Sequence, residues 1–154
     1  MQGTALIDLE LDDFMQPIVA AARTHFITAT TAARCMVARG SGVIIMLSSS
    51  AAQETRHQMG GFNLACAGIE ALTRSLAGEV GPYGVRVVAL RTNLIPQTAP
   101  DLTTRDLEPL LKDTLTGRLP NLDEVASTAA FLGSDHAGAI TAAVINLTCG
   151  AIID

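Results

Sequence analysis

Aromatic residues are scarce in this sequence: it has no tryptophan, one tyrosine and four phenylalanines. Its apolar side is built instead from Ala, Leu, Ile and Val, the usage expected when helices pack closely on a parallel sheet with both faces covered. Positive charge is scarce as well. Ten Lys and Arg against fifteen Asp and Glu give a formal net charge of −5. The basic residues are scattered, with no stripe to neutralise phosphates, which sets aside nucleic acid and an anionic membrane surface as partners. Long hydrophobic runs are missing too. Val43 to Leu47 is the longest apolar run near a strand, far short of the roughly 20 residues of a membrane-spanning helix. The first residues carry acids rather than the basic start of a signal peptide, so a cytoplasmic location is expected. Cysteine is limited to Cys35, Cys66 and Cys149. An odd count, no CxxC and no histidine at ligand spacing support neither a disulfide framework nor a metal site, and isolated buried thiols are expected.

What is present is apolar content: 49% hydrophobic residues and a mean hydropathy of +0.36 over 154 residues, ample for a buried core and one domain's worth of chain. No internal repeat, low-complexity stretch or Gly/Ser linker divides it, so residues 1–154 are read as a single unit. Asp12 and Asp13 are candidate caps for a long helix through Arg39, with Phe14, Ile18, Ala21, Ala22, Phe26, Ala29, Ala33 and Val37 near a three-to-four spacing and Pro17 in about the first turn. Gly40-Ser41-Gly42 ends that helix. Val43 to Leu47 then reads as a central strand buried on both faces, running into Ser48-Ser49-Ser50 and a polar loop to Gly61. Leu64 to Val80 predicts a second helix and Val85 to Leu90 a second strand. A loop with Pro96 and Pro100 follows, then a weak helical pattern around Leu107 to Leu115, a helix from Glu124 to Leu132 capped by Asn121 or Asp123, and a last strand from Ala143 to Leu147. This alternation predicts an α/β fold with a parallel sheet and a ligand site at the carboxyl ends of the strands, where Ser48 to Ser50 lie.

Several segments resemble the short-chain dehydrogenase/reductase family: Gly42-Val-Ile-Ile-Met-Leu-Ser-Ser-Ser50, Ala71-Leu-Thr-Arg-Ser-Leu-Ala77, Gly84-Val-Arg-Val87 and Asp123-Glu-Val-Ala-Ser-Thr-Ala-Ala-Phe-Leu-Gly-Ser-Asp135 are similar to consecutive blocks of it. Ile140 to Gly150 is similar to its closing segment. The resemblance implies a Rossmann-like parallel sheet with flanking helices that transfers a hydride between NAD(P) and an alcohol or carbonyl. The family's chemistry uses a Tyr as acid/base, a Lys four residues later, a Ser upstream and an Asn on the preceding helix. Tyr and Lys four apart share a helix face, where the ammonium lowers the phenol's pKa and the Ser holds the substrate oxygen.

Aligned through Glu70-Ala-Leu-Thr-Arg74, the family's Tyr falls on Phe62 and its Lys on Cys66, while Ser49 takes the Ser position. The helix Asn falls on Ala21, the Pro-Gly after the next strand on Thr92-Asn93, and a Thr that often contacts the nicotinamide amide on Gln97 or Thr98. Phe62 keeps the ring without the hydroxyl and Cys66 cannot replace a permanent cation, so the family's proton relay is absent. Met1-Gln-Gly-Thr-Ala5 resembles the stretch just after the family's Asn-Asn-Ala-Gly block, so the family's first four strands and glycine-rich turn have no counterpart here. Without that turn there is no pyrophosphate cradle, and no cofactor is expected for this chain alone.

The remaining candidates carry alternatives. Ser49 is either a relic of substrate binding or a strand-end serine satisfying loop backbone. His57, with Arg56, is either a relocated acid/base pair or a solvated loop histidine. Tyr83, in a Gly-Pro-Tyr-Gly turn, is too far from Ser49 to act with it. Two functions follow. One is a pseudoenzyme or fragment that retains assembly: the family's two long helices pack against their copies, and Ala21, Ala22, Ala29, Ala65, Gly68 and Ala77 would permit close approach in a homo-oligomer or with a related subunit. The other is an NAD(P)-dependent oxidoreductase of a small alcohol or carbonyl, with the nucleotide half encoded upstream.

Overall fold

A computed structural model of the chain describes residues 3–55 and 58–154. Three strands, β1 (Gly42–Ser49), β2 (Val85–Thr92) and β3 (Val144–Leu147), pair in the order β1-β2-β3, and both pairings are parallel. Parallel neighbours need long crossovers, and helices supply them. Helix α1 (Leu11–Arg39) precedes β1, α2 (Gly61–Val80) joins β1 to β2, and α3 (Thr104–Lys112) and α4 (Leu122–Gly133) lie between β2 and β3. The architecture is the expected Rossmann-like parallel sheet with flanking helices.

Strand alternation divides the core in two. On one face Ile44, Met46, Val85 and Val87 pack with Ala29 and Ala33 of α1 and with Ile69, Leu76 and Ala77 of α2. On the other, Val88 and Leu90 pack with Leu132 of α4 and Ala137. The central strand β2 is covered on both sides, which is why it reads as a nearly continuous apolar run: Val87, Val88 and Ala89 have no exposed surface. Two glycines set close approaches. A Cβ on Gly61 would stand 1.8 Å from the Phe14 carbonyl oxygen, so the first turn of α2 seats directly on α1. Gly84 has φ +77° and its added Cβ would lie 2.4 Å from the Gly40 oxygen, fixing the turn that feeds β2.

Boundaries differ from expectation for local reasons. The N-cap of α1 is Glu10 without a side-chain bond, and Asp12 and Asp13 sit inside the first turn, where they complement the helix dipole instead of capping. Pro17 lies in the second turn of α1, beyond the first-turn position where a missing donor is harmless. Helix α2 starts at Gly61, earlier than Leu64. Helix α3 starts at Thr104, earlier than the apolar pattern suggests, because Thr103 and Asp106 form a capping box in which Asp106 Oδ2 accepts from the Thr103 amide at 2.9 Å. Asn121, not Asp123, caps α4: its Oδ1 accepts from the Glu124 amide at 2.9 Å and Glu124 Oε2 accepts from the Asn121 amide at 3.0 Å. The thiols also depart from expectation, since Cys35 is exposed and Cys149 half-buried, leaving Cys66 as the buried one. Among the described residues no helix is long and apolar enough to cross a membrane, and no group of three or more His, Cys, Asp or Glu could hold a metal ion.

Candidate functional site

Strands β1 and β2 end in register, Ser49 opposite Thr92, and a cavity of about 850 Å³ opens beside these carboxyl ends. Ala21 of α1, Ser49 of β1, Phe62 and Cys66 of α2, and Asn93 and Thr98 after β2 all line it. The structure thus gathers most of the residues singled out from sequence on one wall. Thr98 lines the cavity, whereas Gln97 is exposed and not part of its wall. Thr98 is itself occupied locally, its hydroxyl donating to the Ile95 carbonyl at 2.8 Å. Arg56 and His57 lie outside the described residues.

Phe62 and Cys66 stand one helical turn apart and so face the cavity together. Burial pushes the Cys66 thiol up to about 11; the Glu70 carboxylate adds to this and a hydrogen bond from the Ser49 backbone opposes it. The group is therefore a neutral thiol near pH 7, neither a cation nor an activated nucleophile. Ser49 Oγ accepts the Ala51 amide at 3.3 Å, closing the turn after β1. Its own proton has no acceptor among the described residues. Asn93 folds back on its own loop, with Oδ1 accepting the Leu94 amide at 2.7 Å.

The sequence holds one tyrosine and one lysine. Tyr83 is exposed in the turn before Val85, at the opposite end of β2 from the cavity. Lys112 ends α3 and pairs with Glu108 at 2.8 Å on the surface. Neither lines the cavity.

Beneath the site lies a buried ion pair that sequence reading did not foresee. Arg91 Nε and Nη2 donate to Glu70 Oε1 and Oε2 at 2.8 and 2.9 Å, and the Ser48 hydroxyl donates to the same Oε1 at 2.9 Å. Arg91 Nη1 also bonds Asp154, whose other oxygen accepts from Asn146 Nδ2 at 2.9 Å. The arginine holds the Asp154 carboxyl below the usual carboxylate range, and the bonds to Glu70 raise the pKa of Arg91 itself. This cluster ties α2, β1, β2 and the tail after β3 together. A charge directly after the apolar run Val87-Val-Ala-Leu90, still inside β2, was its signal, because a strand buried on both faces admits an arginine only with a partner. His25 was missed as well, although its place one turn after Ala21 put it on the same helix face.

The described residues do not fit a dinucleotide. Gly61, which opens α2, seats that helix against the Phe14 carbonyl, and the sequence has no glycine-rich turn between a strand and a helix. Cys66 brings a neutral thiol, not a cation, to the cavity wall.

The family model described as enoyl-(acyl carrier protein) reductase matches residues 2–151. Among curated relatives, galactitol 2-dehydrogenase of Rhizobium johnstonii is 33% identical over 76% of this chain and 48% of its own length. The 3-oxoacyl-[acyl-carrier-protein] reductase of Synechocystis sp. is 29% identical over 99% of this chain and 61% of its own. A crystal structure of a gluconate 5-dehydrogenase from Burkholderia cenocepacia, in complex with NADP and tartrate, superposes with a TM-score of 0.86 at 23% identity, covering 96% of this chain and 59% of that one. The chain spans about half the length of the curated relatives it matches. By the extent of the family match and the shared fold, this chain belongs to the short-chain dehydrogenase/reductase family.

Proposed function

We propose that this chain is a family member that does not carry out hydride transfer and whose retained asset is assembly through α1 and α2. One observation carries the reading: the cavity is walled by Phe62 and Cys66 where the family's Tyr and Lys are expected, and the chain's only tyrosine and lysine lie elsewhere. A phenyl ring cannot pass a proton and a neutral thiol cannot lower a neighbour's pKa. Ala21, in the Asn position, offers no side-chain hydrogen bond. The assembly half of the proposal draws on α1, a 29-residue helix with only Ala29 and Ala33 buried. Val19, Phe26 and Ile27 on it and Leu64 on α2 are each more than two-fifths exposed. An apolar groove lined by Ile18, Ala22, Phe26, Leu64, Gly68 and Leu72 runs between the two helices. Such a surface is normally covered, and a second copy or a related subunit with the same helices is the proposed cover.

The second reading is an NAD(P)-dependent oxidoreductase whose nucleotide half lies in sequence outside this chain. The length of the relatives favours it, since 39–58% of theirs lies outside the match for the first three. In that protein Ser49 with His57 would have to replace the acid/base pair. The test is NADH and NADPH oxidation with a panel of small ketones and aldehydes at high protein concentration. The proposal expects the rate of the protein-free blank. Turnover that disappears in Ser49→Ala would overturn it in favour of the enzyme.

A further inference from the structure

A row of three polar side chains crosses the carboxyl end of the sheet. By register Ser48 stands opposite Arg91 and Arg91 opposite Asn146. Alternation puts Ser48 and Arg91 on the face where Ile44, Met46, Val85 and Val87 pack against the helices. Each member is fixed without help from Asp154. Glu70 holds the Ser48 hydroxyl and the Nε and Nη2 of Arg91. Asn146 Oδ1 accepts the Thr148 amide at 3.1 Å and the Thr148 hydroxyl at 2.6 Å, which turns Nδ2 toward the tail after β3. Nδ2 gives one hydrogen to the Ile152 carbonyl at 2.9 Å. Its other hydrogen and Arg91 Nη1 are left to converge on a single acceptor group, and Asp154 supplies it. One carboxylate oxygen bonds Arg91 Nη1, the other accepts from Asn146 Nδ2 at 2.9 Å, and the Gln53 side chain bonds the same carboxylate.

Arg91 is buried, whereas the Asp154 side chain is half-exposed and Ile153 before it is exposed. The receptor is rigid and dry, and its occupant is loosely covered. Tail residues Ala151 and Ile152 form one wall of a polar cavity of about 140 Å³ that Ser50, Gln53 and Asn93 also line. Glu54 and Asp113 share that wall, each with a partner of its own.

We infer that Arg91, Asn146 and Gln53 form a binding site for a small monocarboxylate, a site that the chain's own Asp154 occupies. Two donors from two strands match a group with two acceptor oxygens, and bonds to a charged acceptor are the strong ones. Charge sets the valence: Arg91 and Glu70 together are neutral, so the receptor takes the one negative charge that Asp154 brings. A second negative charge would stand uncompensated beside Glu70, which disfavours dicarboxylates and phosphate. When Asp154 is displaced, the cavity that Gln53 shares with the tail gives the remainder of the ligand room of a few atoms. The inference does not depend on whether the chain transfers a hydride.

The test titrates sodium acetate into the full chain at neutral pH, with sodium chloride holding the ionic strength constant, and follows the backbone amide signals of Gln53, Arg91 and Asn146 by NMR. Asp154→Ala empties the site, and Asp154→Asn keeps the occupant's shape while removing its charge. Saturable shifts are expected in Asp154→Ala at a midpoint about fivefold lower than in the unaltered chain, the worth of a half-exposed ion pair. The midpoint of Asp154→Asn falls between the two. Because a ligand of the folded state adds stability, acetate should also raise the urea midpoint of Asp154→Ala above its value in chloride, and uncharged acetamide should not. Adding Asn146→Asp to Asp154→Ala keeps the oxygen that holds Thr148 and removes the second donor, so the acetate response is lost. The inference is overturned by the absence of saturable shifts in both single variants at several hundred millimolar acetate. Equal midpoints with and without the Asp154 carboxylate, or a response that survives Asn146→Asp, overturn it as well.

Discussion

Replacing Arg91 by Met should destabilise the fold severely, and replacing Glu70 by Leu as well should recover most of the loss. Arg91 and Glu70 side chains are 2% and 7% exposed, and the guanidinium holds both carboxylate oxygens. Removing it leaves a buried carboxylate with only the Ser48 hydroxyl as donor. Breaking a buried pair from one side costs about 3–5 kcal/mol, whereas exchanging both partners for apolar groups of similar volume is often neutral. Asp154 contributes little to the difference because its side chain is 45% exposed and is rehydrated when Arg91 is lost. With a urea slope of about 2 kcal/mol/M, the single variant moves the midpoint down by about 2 M. The sequence has no tryptophan, so unfolding is followed by far-UV circular dichroism at pH 7 rather than by indole fluorescence. A loss below about 1 kcal/mol for Arg91→Met, or a double variant as unstable as the sum of the singles, would refute the view that the pair is interdependent and dry.

Alkylation should separate the thiols: exposed Cys35 reacts with iodoacetamide near pH 8 while Cys66, pushed up to about 11, does not, as read by peptide mass spectrometry. Because the Cys66 value is raised in the folded state, its contribution to stability is complete below the thiol's ordinary value and lost as pH rises through about 11. Alkaline unfolding of Cys66→Ala should lack that portion. The Asp154 value is depressed by Arg91, so its contribution is present at neutral pH and lost as pH falls below the ordinary carboxylate value and through its lowered one. Acid unfolding curves of Asp154→Asn should show that portion missing, on the order of 1 kcal/mol or less for a half-exposed group. Phe26→Glu, which puts a charge on the apolar groove between α1 and α2, should shift sedimentation toward the monomer without changing helix content.

The central sheet was legible in the sequence because burial on both faces leaves a plain mark: Val43 to Leu47 and Val85 to Leu90 are apolar runs bounded by glycine turns. The long helices were legible from their spacing. Less legible were features that depend on partners distant in sequence. Glu70 and Arg91 are 21 residues apart, and a charged residue in each element looks like surface until the helix is laid on the strand. The start of α3 was missed because a polar capping box, not an apolar pattern, sets it. Phe62, Cys66, Ser49 and Ala21 were legible as a group only through the family resemblance, since nothing in their local pattern marks a site. His25 escaped for the converse reason: it matches no motif and acquires a place only when α1 lies against the carboxyl end of β1.

The central claim, that this chain does not hold the family's cofactor and so cannot transfer a hydride, is tested most directly by calorimetric titration of the 154-residue chain with NADH and NADPH. No heat of binding at high protein concentration is predicted. Binding tighter than about 100 μM, some 5 kcal/mol or more, would contradict the account, because it would mean that a nucleotide site is present or is completed between subunits.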